Sequence, residues 1–143
     1  MSLTAVAAPS PGVSGVVTVD SVNNGVDGNG NKITATLGEV PAEYQDAVAE
    51  VRKPETLKAL LGSAYKDTMS VVDVRDVIVP DGTVFPATIT FKVPGVTAST
   101  NVAVLHYDTD KKAWEVVDSK AGQGTITACL LYTSPSPRDQ RGS

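Results

Sequence analysis

The chain has 143 residues, one histidine, one cysteine and a formal net charge of −4, enough length for one domain with a real core. A mildly acidic chain with scattered lysines offers no basic stripe for nucleic acid, and no run of about 18 apolar residues is present to span a membrane. The one cysteine, Cys129, lies close to the C-terminal end, so disulfides, thiolate catalysis and zinc–thiolate sites are excluded from residues 1–128.

Residues 1–8 (MSLTAVAA) are short and rich in small side chains, and Ala5-Val6-Ala7 fits the small-x-small pattern of signal-peptidase sites. Residues 1–15 are therefore expected to be a signal-peptide remnant and a Pro/Ser/Gly linker; an ordinary flexible N-terminus is the alternative. The run VVTVDSV at 16–22 is a β-branched strand. Residues 23–32 (NNGVDGNGNK) are dense in Asn and Gly, which tolerate positive φ, and read as a loop or hairpin turn. Residues 33–37 (ITATL) alternate with period two, as a half-buried strand does.

The period then changes. Tyr44, Ala47, Val48 and Val51 fall on one helical face. Glu43 sits near the positive end of that helix, and Arg52 and Lys53 near its negative end. Pro54 pushes Lys53 out of the α region and opens a second short helix carrying Leu57, Leu60 and Leu61, with Gly62 as its C-terminal cap. This helical insert spans about residues 41–62, and its leucines are expected to pack on the sandwich or cover an open end of it, because helices this short are marginal alone.

From Met69 onward the pattern is β. Residues 71–79 (VVDVRDVIV) alternate and then change phase at Asp76, which predicts a bulge or bend there. Asp81-Gly82 marks a turn. Phe85, Ala87, Ile89, Phe91 and Val93 share one face of the cleanest strand, and Pro86 points to an edge position or an irregular start. Residues 101–107 and 112–118 form a hairpin, and the turn at 122–124 leads into a last strand at 125–128. Many short strands between Pro/Gly turns, with one helical excursion, predict a mainly β chain: an antiparallel β-sandwich with a small helical insert over residues 16–128.

Residues 129–139 (CLLYTSPSPRD) can be encoded, in one frame, by the transposase adapter ligated in short-read library preparation, and residues 140–143 (QRGS) fit a barcode and the adapter's next bases. Residues 129–143 are thus expected to be an adapter-derived tail, disordered beyond residue 132, on a truncated bacterial fragment of metagenomic origin. Residues 129–132 are apolar enough to prolong the last strand.

The segments PATITFKVPG (86–95), VAVLHY (102–107), WEVV (114–117) and GTIT (124–127) resemble a β-sandwich module of uncharacterised secreted or wall-anchored proteins of gut Gram-positive bacteria, and more loosely ZU5-like and Ig-like surface modules. The resemblance covers about residues 69–128. It implies an extracellular or cell-surface location and an anchor outside these residues, and it carries a fold rather than a site.

Few residues are candidates for chemistry. Asp27, Asn29 and Asn31 look like the start of a calcium loop, but Lys32 stands where the turn glycine belongs. A solvated turn and a weak ion site are the two readings. His106 shares a strand face with Val102 and Val104 and reads as a packed or rim histidine. A single histidine gives no support to a Ser/His/Asp set. Asp73 and Asp76 could be paired carboxylates, although Arg75 is the simpler partner of Asp73. Tyr107 and Trp114, placed at opposite ends of the hairpin, read as core aromatics or an exposed sugar-binding pair. No catalytic or cofactor-binding set is expected, and no cofactor. The expectation is a non-catalytic structural or interaction module whose partner is a surface glycan or protein; the alternative is an accessory carbohydrate- or peptide-binding domain of a truncated secreted enzyme.

Overall fold

The computed structural model of the chain describes residues 3–9 and 19–131. Among them, nine strands form two antiparallel sheets. The strands are β1 (Leu3–Pro9), β2 (Ser21–Val26), β3 (Thr36–Gly38), β4 (Met69–Ile78), β5 (Ala87–Lys92), β6 (Ala103–Asp108), β7 (Ala113–Val117), β8 (Ser119–Gly122) and β9 (Thr125–Leu130). One sheet has the order β3-β4-β1-β6-β7 and the other β2-β5-β9-β8. Helices α1 (Gln45–Arg52) and α2 (Pro54–Leu61) stand between β3 and β4 in the chain. The protein is a mainly β sandwich with a small helical insert.

Two apolar cores divide the molecule into three layers. In one, Val48 and Val51 of α1 and Leu57 and Leu61 of α2 meet Leu3, Ala5, Ala7, Val71, Val74, Leu105 and Trp114 of the five-stranded sheet. In the other, Val6, Ala8, Val77 and Val104 on the opposite face of that sheet meet Ile89, Phe91, Ile126, Ala128 and Leu130 of the four-stranded sheet. The helices therefore cover a face of the sandwich rather than an open end. Leu57 and Leu61 are buried and Leu60 packs partly buried beside them, as their spacing predicts. Pro54 begins α2, and Gly62 ends it at φ 55°, a region that a side chain makes costly.

The N-terminus departs most from expectation. Leu3–Pro9 was expected to be signal remnant and linker outside the fold. Instead it is the central strand of the five-stranded sheet, paired with β4 from Leu3↔Asp76 to Pro9↔Met69 and with β6 from Thr4↔His106 to Ala7↔Ala103. Its alanines let the helical layer and the second sheet both approach closely, and Ala5, Ala7 and Ala8 are wholly buried. The expected strand at 16–18, linker at 10–15 and disorder beyond residue 132 lie outside the described residues.

Further differences have simple causes. Residues 23–26, read as loop, belong to β2, where Asn23 is the extra residue of a bulge between Val22↔Phe91 and Asn24↔Thr90. Gly25 lets the neighbouring chain approach closely, since a Cβ there would lie 3.1 Å from both Ile33 Cγ1 and the Ile33 carbonyl oxygen. Of residues 33–37, only 36 and 37 are in a strand, β3. The phase change near Asp76 is not a bulge. Val74 faces the helical core and Val77 the inter-sheet core, so the apolar pattern switches because β4 is buried on both sides. The register shift lies earlier, at Val72, opposite the Val6/Ala7 step. There Arg52 Nη1 of α1 donates to the Val71 carbonyl (3.1 Å), tying the helix to the irregular stretch.

β5 has the burial alternation expected of it and begins immediately after Pro86. It lies inside its sheet, between β2 and β9, so Pro86 marks an irregular start and not an edge. β9 runs on through Cys129 and Leu130, which pair with Thr88 and Ala87, as the apolar character of 129–132 predicts. β8 was not anticipated: after β7 the chain changes sheet at Asp118, whose carbonyl accepts from Cys129 N–H (3.0 Å).

Candidate functional site

A cleft of about 400 Å³ lies between the helical pair and the β6–β7 hairpin. Its floor is Trp114, Tyr107 and Leu60, and its rim carries Asp46, Glu50 and Lys112. α1 supplies the two acids four residues apart, the spacing that puts side chains on one helical face. The hairpin supplies the aromatics: Tyr107 and Trp114 are direct cross-strand partners, with ring centroids 5.2 Å apart. Their expected placement at opposite ends of the hairpin is thus corrected. β6 continues one residue further, to Asp108↔Ala113, which moves the register. Tyr44 sits edge-on to Tyr107 at 6.0 Å.

Trp114 is 6% exposed, and its Nε1 donates to the Ala47 carbonyl (3.0 Å). The indole is therefore a strut between hairpin and helix, with little ring face left for a sugar to stack on. The rim is more available. Thr56 Oγ1 donates to Glu50 Oε2 (3.1 Å) and Lys53 Nζ lies 3.3 Å from Glu50 Oε1. The Thr56 hydrogen bond, followed by Lys53, holds the Glu50 carboxyl below its ordinary range. Lys112 adopts φ 54° in the hairpin turn, a position that glycine or asparagine fills at less cost. The turn is held by Asp108 Oδ1, which accepts from Asp110 N–H (2.9 Å) and Lys111 N–H (3.2 Å). Burial, followed by Glu43, raises the Tyr44 phenol above its usual value.

The residues singled out in the sequence do other work. Asp27 Oδ1 accepts the backbone N–H groups of Asn29 and Asn31, both at 2.9 Å. The carboxylate closes its own loop, as in an Asx turn. Among the described residues, no three His, Cys, Asp or Glu side chains are grouped to hold a metal ion. Asp73 Oδ2 lies 3.2 Å from Arg75 Nε. The pair also grips the backbone of Val19: Val19 N–H donates to Asp73 Oδ2 (2.9 Å), and Arg75 Nη2 donates to the Val19 carbonyl (3.2 Å). Asp73 is opposite Val6 and Asp76 opposite Leu3, partners in different cores, so the two carboxylates occupy different faces of β4 and form no dyad.

His106 is 1% exposed, between Thr4 of β1 and Glu115 of β7. Burial pushes its pKa below the ordinary value, opposed by Glu115 and Asp108. It is a packed histidine. The cleft rim of Asp46, Glu50 and Lys112 was not anticipated. The two acids at i and i+4 were the available signal, but their meeting with the hairpin depends on a contact across some sixty residues. Comparison of the chain with protein-family models, with curated proteins and with solved structures gives no match.

Proposed function

We propose that this chain is a non-catalytic interaction module of a bacterial extracellular or cell-surface protein, of the ZU5-like or Ig-like kind. The observation that carries the reading is what its chemically capable side chains are doing. Asp27, Asp73 and Asp108 each accept two or more hydrogen bonds from neighbouring groups of the fold, and His106 is packed inside the five-stranded sheet. A general base must reach a substrate proton, and these four groups are committed to turns, a clamp and a core. The surface location rests on the resemblance over about residues 69–128, whose quoted segments fall on β5, β6, β7 and β9.

The cleft beside Lys112 favours a peptide over a sugar as the bound partner, because its charged groups lie on the rim while its indole is covered. The test pairs turnover with binding. The purified chain should give no hydrolysis of glycoside, ester or peptide substrates, and peptide-array binding that weakens in Lys112→Gly. Hydrolytic turnover that survives His106→Ala and the carboxylate substitutions would overturn the reading. Glycan binding lost in Trp114→Phe would put a carbohydrate-binding domain in its place.

A further inference from the structure

A second cleft, of about 360 Å³, lies where the loop after α2, the β5–β6 connection and β8 meet, away from the aromatic cleft. That volume falls within the range of small-ligand sites. Its wall has two cations and no carboxylate: Lys66 comes from the loop after α2 and Lys120 from β8, with Thr100, Asn101 and Ser119 between them.

The chain has more acids than bases, yet none of the carboxylates among the described residues lines this cleft. Lys53, Arg75, Lys92 and Lys111 each face a carboxylate; Lys66 and Lys120, like Lys32, Lys58 and Lys112, have no ion pair among the described residues, and of these five only Lys66 and Lys120 share this cleft. An anion entering the cleft meets two ammonium groups and no carboxylate in its lining. The frame around them is fixed. β8 is paired with β9 from Ser119↔Ala128 to Gly122↔Thr125. Lys66 N–H points at Met69 Sδ (3.3 Å), and Thr100 Oγ1 accepts from Thr97 N–H (2.9 Å). Val102 and Ala121, in the same wall, pack into the inter-sheet core, so the cleft floor moves only with the sandwich.

We propose that this cleft binds an acidic saccharide unit, one sugar bearing a carboxylate or sulfate. Lys66 and Lys120 bracket the anionic oxygens. The Asn101 amide and the Ser119 hydroxyl supply the paired donors and acceptors that ring hydroxyls require. A long polyanion does not suit the site, since the chain as a whole is acidic and the cationic stretch is two lysines wide.

The full chain is titrated by calorimetry or NMR with a uronate disaccharide, a sulfated disaccharide, their neutral counterpart, inorganic sulfate and inorganic phosphate. Binding of an acidic disaccharide is expected to weaken about tenfold or more in Lys66→Gln and in Lys120→Gln, the scale of one lost charged hydrogen bond. Lys58→Gln, an exposed lysine on α2 outside the cleft, should leave it unchanged. All three positions are exposed, so unfolding midpoints should match. Equal weakening by Lys58→Gln would reduce the effect to overall charge and overturn the proposal. So would inorganic sulfate or phosphate binding as tightly as the disaccharide, or the neutral sugar doing so. No binding by either acidic disaccharide at millimolar concentration also rejects it.

Discussion

β1 and β5 are both interior strands, but the sequence shows only one of them clearly. β5 belongs to the sheet that is covered on one face: Ala87, Ile89 and Phe91 are buried, and Thr88 and Lys92 face solvent. β1 belongs to the sheet between the helices and the second sheet, and every residue from Leu3 to Ala8 is buried. β6 resembles β1, buried throughout from Ala103 to Asp108. One-sided burial writes a period of two into a strand, and two-sided burial erases it. A short alanine-rich strand with no period and no partner nearby in sequence then looks like a processing segment.

The contrast can be broken most severely by charge. Ala5→Asp places a carboxylate in the helical core with no cation beside it on its own strand, a cost of several kcal/mol against a total stability of about 5–15 kcal/mol. Thermal and denaturant melts should show the domain unfolded or nearly so. Thr88→Asp on the exposed face of β5 should stay within about 0.5 kcal/mol of the parent. Comparable losses at the two positions would mean that β1 is not covered on both faces.

A smaller effect is expected at the clamp. Asp73→Asn keeps the shape but removes the charge that accepts Val19 N–H and pairs with Arg75. The side chain is 13% exposed, and the expected loss is about 1–3 kcal/mol. An unchanged midpoint would show that Val19 is held by its apolar packing alone.

The smallest effect expected is a pH slope. The folded-state pKa of His106 lies below its ordinary value of 6.5, so in that window the unfolded chain holds a proton that the folded chain does not. Its contribution is intact above the ordinary histidine value and is lost as pH falls below it. His106→Gln should flatten the melting midpoint over that interval, and an unaltered slope would place the titration elsewhere.

What was legible follows the same division. The α1–α2 pair could be read because Pro54, Gly62 and the leucine spacing act within a few residues. The β6–β7 hairpin and β5 were local as well. β1, the bulge at Val72 and β8 were not, because each depends on partners far along the chain or on a second covered face. The candidate site divides likewise. The Asp27 turn is built within five residues and was readable. The Tyr107–Trp114 pairing turned on one residue of register, and neither cleft is assembled within a single element.

Amide hydrogen exchange tests the central claim, two-faced burial of a strand at the middle of a three-layer sandwich, most directly. Backbone amides of residues 4–8 should exchange only by global unfolding, as slowly as those of β6, while Thr36 and Leu37 on the short edge strand exchange faster. Exchange of the β1 amides as fast as the edge strand, with β6 still protected, would contradict the account and return Leu3–Pro9 to the status of a loosely attached segment.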